Sequence, residues 1–379
     1  MFVITDLNGG GAERVMLSVL RHLDSARFAP SIFLLRRAGK YWDDVPPGIP
    51  IHWGIDGARR IIFRSWTVLR KITRLAKQSD VIVGALEQLP SYFAYAASVL
   101  AGKPAMAWVH TDLRRHLPLQ GNRAAHRFII KKLYPHFRKV VFPSQNAREG
   151  LRSIAPLNDR DCEVIQNPSD IRLIVSRSTE NLPVQAVTIF SKPTIVGVGS
   201  LDNAIKGFDL LVQAHGMAKS DGCDHNLVIL GEGPDYNALL EMAERLGVAN
   251  STFLLGFQSN PYPFILAATA LAVPSRFEAF GMVVTEALTL GTPVIVASTA
   301  LGALEVIEQG IYGGVFLGGN VRALAASIRE IVGNPALRAI YAQRGLARAQ
   351  FFGADQVVGK WEDVLYKVAY GRPQRKAID

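Results

Sequence analysis

Short apolar runs alternate with longer amphipathic segments along most of this chain. The runs are three to five residues long and do not alternate with polar residues, which is typical of strands covered on both faces. The longer segments repeat their apolar positions every three or four residues, as helices do. The pattern therefore predicts an α/β fold in which parallel sheets are connected by crossover helices.

The predicted strands fall into two series along the chain. They are 2–5, 31–35, 81–84, 105–109 and 139–142, followed by 194–198, 226–230, 252–254, 270–273, 293–297 and 314–317. The segment 169–192 between the series is polar, contains Pro183 and has no clear periodicity. Because 379 residues suffice for two domains, we predict two Rossmann-like domains, residues 1–170 and residues 171–350. Ligands of open α/β sheets bind at the carboxyl ends of the strands, so motifs that directly follow a strand are the candidates for chemistry.

The positive charge of the chain is concentrated in its first half. The net charge is +10; residues 1–170 hold 25 Lys and Arg against 14 Asp and Glu, whereas the remainder holds 17 against 18. Such asymmetry indicates an anionic partner for the first domain, either nucleic acid or a membrane surface. We expect no nucleic acid partner, because no helix-turn-helix, RNP-type or zinc pattern occurs in the sequence.

Cysteine usage and hydropathy indicate the compartment. Cys162 and Cys223 are the only cysteines and lie far apart, which fits a reducing compartment and argues against a disulfide or a cysteine-rich zinc site. The start of the chain lacks a basic segment followed by a long apolar one, and the longest apolar runs are too short to span a bilayer. We therefore expect a cytoplasmic protein, either free in solution or peripheral on the inner face of the cell membrane.

The segment 58–78 predicts an amphipathic helix with a basic polar side. Its predicted apolar face is Ile62, Trp66, Leu69, Ile72 and Leu75, and its basic residues include Arg59, Arg60, Arg70 and Arg74. Such a helix either packs on its own sheet with a solvated basic side or docks on anionic lipid, where each basic residue near the surface contributes about 1 kcal/mol. The second interpretation makes the four arginines membrane-docking residues.

Three glycines, Gly9 to Gly11, separate the first predicted strand from the first predicted helix. Glycine loses more backbone freedom on folding than other residues, so a run of three indicates that something lies close to the backbone. The N–H groups of this loop and of the helix start could face an anion. A turn kept tight for packing is the alternative, and no G-x-G-x-x-G dinucleotide fingerprint occurs.

The stretch SRFEAFGMVVTEALTLGTPVIVAS, residues 275–298, follows a predicted strand. Glu278 lies in a loop, Phe280 to Met282 begin a helix, and Glu286 lies about two turns beyond Glu278. A helix start with a glycine at its mouth can donate several N–H groups to phosphate or sugar hydroxyls, and ionised carboxylates accept hydrogen bonds from hydroxyls. The combination suits a hydroxyl-rich, anionic ligand, although two solvated glutamates would show the same spacing.

This stretch resembles the signature of the large retaining glycosyltransferase family that includes sucrose synthases and phosphatidylinositol mannosyltransferases. The family pattern, E-x-F-G-x-x-x-x-E-A-x-x-x-G-x-P-V-I, is represented here from Glu278 to Ile295. Other segments are similar to further family motifs: GGGAERV (9–15), VIQNPSD (164–170), VGSLDNAIKGFDLLVQA (198–214), VILGEGP (228–234) and LLGF (254–257). The resemblance covers nearly the whole chain and implies the GT-B fold, in which two Rossmann-like domains face a central cleft.

The resemblance also implies roles for individual residues around an activated sugar. Glu278 would hydrogen-bond the donor sugar, Lys206 would pair with the diphosphate of the leaving group, and His110 would face the sugar from the first domain. The other implied donor-binding positions are Gly10 and Gly11 at the diphosphate, Phe257 at the base, Phe280, Gly281 and Met282 at sugar hydroxyls and phosphate, and Glu286 at the ribose. Ser200 stands where the family has an arginine, so one phosphate contact is missing.

The implied enzyme is a metal-independent, hexosyltransferase-type glycosyltransferase that uses a UDP- or GDP-linked sugar and no further cofactor. It would transfer the sugar, with retained anomeric configuration, to a hydroxyl of an acceptor held by the first domain. The basic first domain suggests a lipid-linked or cell-envelope glycan as acceptor, and the last helix, within 351–379, would pack back on that domain. Asp159–Asp161 resembles the Asp-x-Asp metal motif of another glycosyltransferase fold, but it lies in a polar loop and is interpreted as solvated charge.

Two alternatives to this function are compatible with the sequence. One is a sugar-nucleotide epimerase or a phosphorylase on the same fold. The other is a non-catalytic partner subunit that binds a nucleotide or a lipid.

Overall fold

The computed structural model describes residues 1–8, 10–57 and 61–371, apart from the side chain of Ile62. Arg59 and Arg60, two of the four arginines predicted to dock on a membrane, lie outside the described residues. The described chain forms two compact units, each built on one parallel sheet.

Unit 1 comprises Met1–Pro168 and the chain from Ala354 onward, and unit 2 comprises Ser169–Gly353. The chain therefore passes from one unit to the other twice, and we call these points the first crossing, at Pro168–Ser169, and the second crossing, at Gly353–Ala354. The sequence pattern placed the corresponding boundaries at 170 and 350.

Unit 1 has a parallel sheet of seven strands among the described residues. The strands are β1 (Phe2–Ile4), β2 (Ile32–Arg37), β3 (Ile51–Asp56), β4 (Ile82–Gly84), β5 (Ala105–Trp108), β6 (Lys139–Phe142) and β7 (Cys162–Val164). Their order in the sheet is β3-β2-β1-β4-β5-β6-β7. The sequence analysis missed β3 and β7, which are the two edge strands. Polar residues such as His52 in β3 and Glu163 in β7 interrupt the apolar run that served as the signal.

Helices connect these strands and cover the sheet with their apolar faces. In the first 168 residues they are α1 (Gly11–His22), α2 (Ser65–Ala76), α3 (Leu89–Ala101), α4 (Leu113–His116), α5 (Arg123–Leu133) and α6 (Gln145–Arg152). Helix α1 buries the continuous segment from Val15 to Leu20.

The basic helix α2 is shorter than predicted, and of its predicted apolar face Leu69, Ile72 and Leu75 pack on the core whereas Trp66 does not. It follows a 3-10 turn over Ile61–Arg64, and its buried residues are Val68, Ile72 and Ala76. Val68 packs so closely on Gly54 of β3 that a Cβ atom there would lie 2.8 Å from its Cγ2. Trp66, which we placed on the buried face, is 68% exposed. The reason is geometric, because two positions along a helix correspond to a rotation of about 200° from Val68.

Unit 2 has a parallel sheet of six strands. They are β8 (Thr194–Val198), β9 (Asn226–Leu230), β10 (Thr252–Leu254), β11 (Ala270–Val273), β12 (Val294–Ala297) and β13 (Gly314–Phe316). Their order is β10-β9-β8-β11-β12-β13. The sequence analysis located every one of them, including the edge strands β10 and β13, because each contains a short run of apolar residues.

Helices connect the strands of unit 2. They are α7 (Ile171–Ser178), α8 (Val184–Ile189), α9 (Asn203–Lys206), α10 (Phe208–Ser220), α11 (Tyr236–Arg245), α12 (Tyr262–Ala267), α13 (Met282–Thr289), α14 (Leu301–Val306), α15 (Val321–Gly333) and α16 (Pro335–Ala349). The sequence analysis missed α7 and α8, because we interpreted the polar segment 169–192 that contains them as the boundary between the domains. Each is too short to show a helical period, but α7 has a clear start signal, since Asp170 caps it by accepting the backbone N–H of Leu173 at 3.0 Å.

The last helix, α17 (Ala354–Tyr370), belongs to unit 1 and packs beside α1. Trp361 is fully buried, and its ring centre lies 4.0 Å from that of Trp108. Glu362 accepts hydrogen bonds from the backbone N–H of Asp24 at 2.8 Å and from Arg27 at 3.0 Å. The end of the described chain therefore completes the core of the unit in which the chain begins.

Each sheet has one place where the strand order reverses. In unit 1 the reversal lies between β1 and β4, and in unit 2 it lies between β8 and β11. At such a switch point the connections run to opposite sides and leave a crevice at the carboxyl ends of the strands, where ligands of open sheets bind. The loops that follow these four strands are therefore the candidates for ligand binding and catalysis.

Two histidines form a hydrogen-bonded pair in the core of unit 2. His215 and His225 are both completely buried, with Nδ1 of the first 2.9 Å from Nε2 of the second. Ser251 Oγ lies 2.9 Å from the other nitrogen of His215, and the carbonyl of Cys223 lies 3.0 Å from the other nitrogen of His225. Burial lowers the pKa of His215 to about 3, with neighbouring His225 and Lys219 adding to the effect, and burial also lowers the pKa of His225.

We predict that this pair makes the protein sensitive to mild acid. Burial keeps His215 neutral in the folded protein, so the unfolded chain takes up more protons as the pH falls below about 6.5, and this histidine then removes up to about 1.4 kcal/mol of stability per pH unit. The lowered pKa of His225 acts in the same direction. His215→Gln removes one such group, so its apparent melting temperature should fall less steeply between pH 7 and pH 5 than that of the wild type. His136→Gln, at an exposed position, is the control and should keep the wild-type slope. Parallel slopes for all three proteins would contradict the prediction.

Candidate functional site

An ion pair joins the two loops at the switch point of unit 2. Lys206, at the end of α9 after β8, donates from Nζ to Oε2 of Glu278, after β11, over 2.7 Å. The hydroxyl of Ser275 lies 3.3 Å from the same oxygen. The side chains of Lys206 and Glu278 are 22% and 16% exposed, so the pair is largely shielded but still reachable from solvent. The structure thus brings together two of the residues that the resemblance placed at a donor sugar.

Two further contacts hold these loops together. Gly207, with φ +66°, ends α9 against the loop after β11, where a Cβ atom would lie 2.5 Å from the carbonyl oxygen of Pro274. Arg276 donates to both carboxylate oxygens of Asp209, at 2.8 and 2.7 Å, and to the carbonyl oxygen of Asn203 at 2.6 Å. A two-pronged Arg–carboxylate contact fixes both position and orientation. The sequence analysis did not assign these residues to the site, although Asp209 lies in the segment 198–214, which is similar to a family motif.

The 280–282 loop forms the start of α13. Gly281 has φ +87°, a left-handed conformation that favours glycine, and a Cβ atom there would lie 3.0 Å from the Cβ of Ala303. Gly302 packs against the loop from α14 so tightly that a Cβ would overlap the backbone of Ala279, and its N–H donates to the carbonyl of Glu278 at 2.9 Å. Helix α13 therefore begins only a few residues after Glu278, which forms the ion pair with Lys206. The first N–H groups of a helix in such a place are suited to an anion.

The remaining predicted positions of unit 2 differ in exposure. Glu286 lies within α13 and is only 2% exposed, so it is not the solvated glutamate of the alternative interpretation. Ser200 is exposed, and Phe257 is half-buried in the loop after β10. The N–H of Gly231 donates to the carbonyl of Gly256 at 2.8 Å, which brings the loops after β9 and β10 together.

The switch point of unit 1 is acidic. Gly10 caps α1, Gly11 is its first residue, and a Cβ on Gly10 would run into the carboxylate of Glu13. Burial raises the pKa of Glu13, and the nearby Asp6 and Glu87 raise it further, while backbone N–H groups of Glu13 and Gly10 act in the opposite direction. The carboxylate of Glu13 thus meets backbone N–H groups at the start of α1, in the manner of a capping box. The expected approach of the Gly10 and Gly11 backbone to a diphosphate stays a prediction.

His110 follows β5 and is held by Glu87, which follows β4. The backbone N–H of His110 donates to Oε2 of Glu87 over 2.9 Å, and the imidazole ring centre lies 4.5 Å from that of Trp108. Burial lowers the pKa of His110 to about 3, against a hydrogen bond with the backbone of Ala85, so the ring is neutral. Its Nε2 is buried and, among the described residues, has no hydrogen-bond partner.

Sequence reasoning missed Glu87, and only its place after a predicted strand could have indicated it. Burial raises the pKa of Glu87, opposed by the backbone N–H groups of His110 and of Glu87 itself and by nearby His116. A carboxyl group beside a neutral imidazole offers hydrogen-bonding groups that suit hydroxyls.

The described residues contain neither a candidate metal site nor a candidate membrane-spanning helix. Within 1–8, 10–57 and 61–371, no three His, Cys, Asp or Glu side chains are grouped so that they could hold a metal ion. Asp159, part of the metal-like motif, pairs with Arg148 and, at 2.6 Å, with Arg152. No helix in the described part of the chain is both long and apolar enough to cross a bilayer.

Two family models match the chain in succession. Residues 9–173 match the model described as Glycosyltransferase Family 4, and residues 181–348 match the model described as Glycosyl transferases group 1. The first match ends within α7 and the second begins just after it, close to the first crossing.

Proteins with similar sequences include several that are named as glycosyltransferases. The N-acetylgalactosamine-N,N'-diacetylbacillosaminyl-diphospho-undecaprenol 4-alpha-N-acetylgalactosaminyltransferase of Campylobacter jejuni is 26% identical over 265 residues, which cover 69% of this chain and 70% of that protein. The N-acetyl-alpha-D-glucosaminyl L-malate synthase of Bacillus anthracis is 23% identical over 212 residues, so the match spans only 55% of its length.

Solved structures share the fold. The structure of HepE from Anabaena in complex with UDP-glucose has a TM-score of 0.81 at 20% identity, covering 97% of this chain and 98% of that one. WaaG, a glycosyltransferase involved in lipopolysaccharide biosynthesis, has a TM-score of 0.73 at 15% identity, covering 96% and 98%. With the two parallel α/β sheets and the successive family matches, these similarities show that the chain belongs to the family 4-type glycosyltransferases of GT-B fold.

Proposed function

We propose that this enzyme is a retaining hexosyltransferase that moves a sugar from a UDP- or GDP-linked donor to a hydroxyl of a lipid-linked or cell-envelope glycan. The proposal rests above all on the Lys206–Glu278 pair, held at 2.7 Å beside the start of α13. A cation, a carboxylate and a helix start are the three groups needed to hold a diphosphate and the hydroxyls of the sugar attached to it.

Lys206 and Glu278 have different roles at the donor. The bond between the sugar C1 and the diphosphate oxygen breaks, so negative charge develops on the leaving group, where the ammonium of Lys206 stabilises it. Glu278 accepts hydrogen bonds from the sugar hydroxyls and keeps Lys206 in place. The backbone N–H groups of Phe280, Gly281 and Met282 bind sugar hydroxyls and phosphate. Glu286 holds the ribose, and the backbone near Phe257 contacts the base.

Transfer occurs on the face of the sugar that the diphosphate leaves. The acceptor oxygen bonds to C1 there, and its proton passes to the departing phosphate oxygen, so the anomeric configuration is retained. Such a path needs positioning and charge stabilisation but neither a protein base nor a metal. The neutral His110 supports a role for unit 1 in holding the sugar, because its buried Nε2 can accept a hydrogen bond from a sugar hydroxyl.

The names of the relatives support this acceptor class and stereochemistry. The Campylobacter jejuni relative is named for α-transfer to a diphospho-undecaprenol-linked sugar, and a Bacillus subtilis relative, 24% identical over 196 residues, is named poly(glycerol-phosphate) alpha-glucosyltransferase. Both names describe phosphate-bearing acceptors, which suits a basic unit 1. They also favour transfer over the epimerase, phosphorylase and non-catalytic alternatives.

We further propose that unit 1 docks on an anionic membrane through α2 and the turn before it. Phe63 and Trp66 are 80% and 68% exposed, and Arg70 and Arg74 are exposed on the same helix. Exposed aromatic rings beside basic residues suit the boundary between headgroups and acyl chains. Of the two interpretations that the sequence left open for this helix, the exposed Trp66 favours docking on lipid over complete packing of the apolar face on the sheet.

We predict that Glu278→Ala lowers kcat by about 10²–10³, because the sugar loses its carboxylate contact and Lys206 loses the partner that positions it. Transfer from UDP-glucose and GDP-mannose is measured with a labelled donor, with and without EDTA, and the anomeric configuration of the product is assigned by proton NMR. Glu241→Gln, an exposed glutamate of α11, is the matched control and should keep wild-type turnover. Near-normal transfer by Glu278→Ala would refute the site assignment.

We predict that Phe63→Ser with Trp66→Ser weakens binding to vesicles containing phosphatidylglycerol by about tenfold or more, because burial of each aromatic ring contributes more than 1 kcal/mol. Flotation with neutral and anionic vesicles separates the apolar from the charge contribution, and Arg70→Glu with Arg74→Glu should lower binding to anionic vesicles only. Val99→Ser, at an equally exposed apolar position on α3, is the control. Equal flotation of all these variants would rule out docking through α2.

A further inference from the structure

The two crossings are fastened to each other on the unit 2 side. The backbone N–H of Ser169 donates to the carbonyl of Phe352 over 2.7 Å, and Ser169 and Gly353 form an isolated parallel bridge. Ser169 begins unit 2 and Gly353 ends it. The first and last residues of the unit are therefore held side by side.

From the first crossing, a chain of hydrogen bonds leads to the 280–282 loop. The hydroxyl of Ser169 donates to Oγ1 of Thr285 over 2.8 Å, and that hydroxyl donates to the carbonyl of Met282 over 2.8 Å. Ser169 and Thr285 are 1% and 0% exposed, so neither hydroxyl has water as an alternative partner. Hydrogen bonds in such a buried series reinforce one another.

From the second crossing, an aromatic contact leads to the other end of the same loop. The ring of Phe352 meets that of Phe280 edge to face, with 5.7 Å between centres and an angle of 81°. Both rings are buried, and the guanidinium of Arg348 lies 4.9 Å from the centre of the Phe352 ring. Gly281, with φ +87°, therefore has one crossing tied to the residue before it and the other crossing tied to the residue after it.

We propose that Ser169, Thr285 and Phe352 are positioning residues that couple occupancy of the 280–282 loop to the restraint of the two crossings. The inference rests on the proposed function, since it takes the loop as the place where donor sugar and phosphate bind. A ligand that fixes Phe280 and Met282 fixes the crossings, and a displaced crossing moves the loop. Because coupling between two sites is reciprocal, the same residues also contribute to donor affinity.

The chain offers a matched control in the next turn of the same helix. Thr289 is also buried, and its hydroxyl donates to the carbonyl of Thr285 over 2.7 Å. It has the same chemistry as Thr285 but its hydroxyl bond ends within α13. Thr285→Val and Thr289→Val therefore both remove one buried hydroxyl, and only the first breaks the path to the crossing.

The test measures amide hydrogen exchange of the full chain with and without UDP, in peptides covering 166–172 and 350–356. Calorimetry first establishes that UDP binds. UDP should slow exchange at the Ser169 amide in the wild type and in Thr289→Val. In Thr285→Val and Ser169→Ala the UDP effect should be lost and the Kd for UDP should rise about threefold to tenfold, the range that one net hydrogen bond supplies. Thr285→Ser, which keeps the hydroxyl, should restore both.

Two results would overturn the coupling. One is UDP binding to the wild type without any change of exchange at the crossings, and the other is an equal UDP effect in Thr285→Val and Thr289→Val. Failure of the wild type to bind either UDP or GDP would instead refute the proposed function, and the coupling with it. Phe352→Leu provides an independent arm, in which the UDP effect at the 350–356 peptide should weaken while melting shows that the protein is folded.

Discussion

The meeting of the loops after β8 and β11 is the constraint on which the candidate site depends. Lys206 and Glu278 are 72 residues apart in the chain, and they meet because the strand order of unit 2 reverses between those two strands. A partly exposed ion pair contributes little stability by itself. Its position comes from the glycine at 207, which allows the close approach, and from the two-pronged contact between Arg276 and Asp209. The chemistry is thus placed by packing and backbone geometry rather than by the attraction of the two charges.

Sequence patterns predicted the central strands of both sheets and the edge strands of unit 2, but missed the two edge strands of unit 1. Central strands such as β8 are continuous apolar runs, whereas polar residues interrupt β3 and β7, and α7 and α8 are too short to show a period. In the site, family motifs indicated Lys206, Glu278 and Glu286, whereas spacing alone left open whether the two glutamates bind a ligand or are solvated. Arg276 and Glu87 gave no signal because their partners, Asp209 and His110, are distant in sequence and only tertiary packing brings them together.

Acidic and basic side chains are unevenly distributed over unit 1. It carries the excess of lysine and arginine, yet its switch point is lined by Asp6, Glu13 and Glu87. Arg36 pairs with Asp6 there, and other basic residues lie on exposed helical surfaces, including α2 and the polar side of α5. A net charge therefore says little about the crevice of this unit. The acidic crevice suits neutral hydroxyl groups, and the basic outer surface suits an extended anionic partner.

Unit 2 is one uninterrupted stretch of chain, whereas unit 1 is assembled from two. Since Ser169 and Gly353 are bridge partners, the ends of unit 2 emerge next to each other, as in a domain inserted into a loop of another. The whole of unit 2 can therefore be excised as a single segment without leaving any of its core behind. A truncation after Gly353, by contrast, removes α17 with the buried Trp361, and so damages the unit at the opposite end of the sequence.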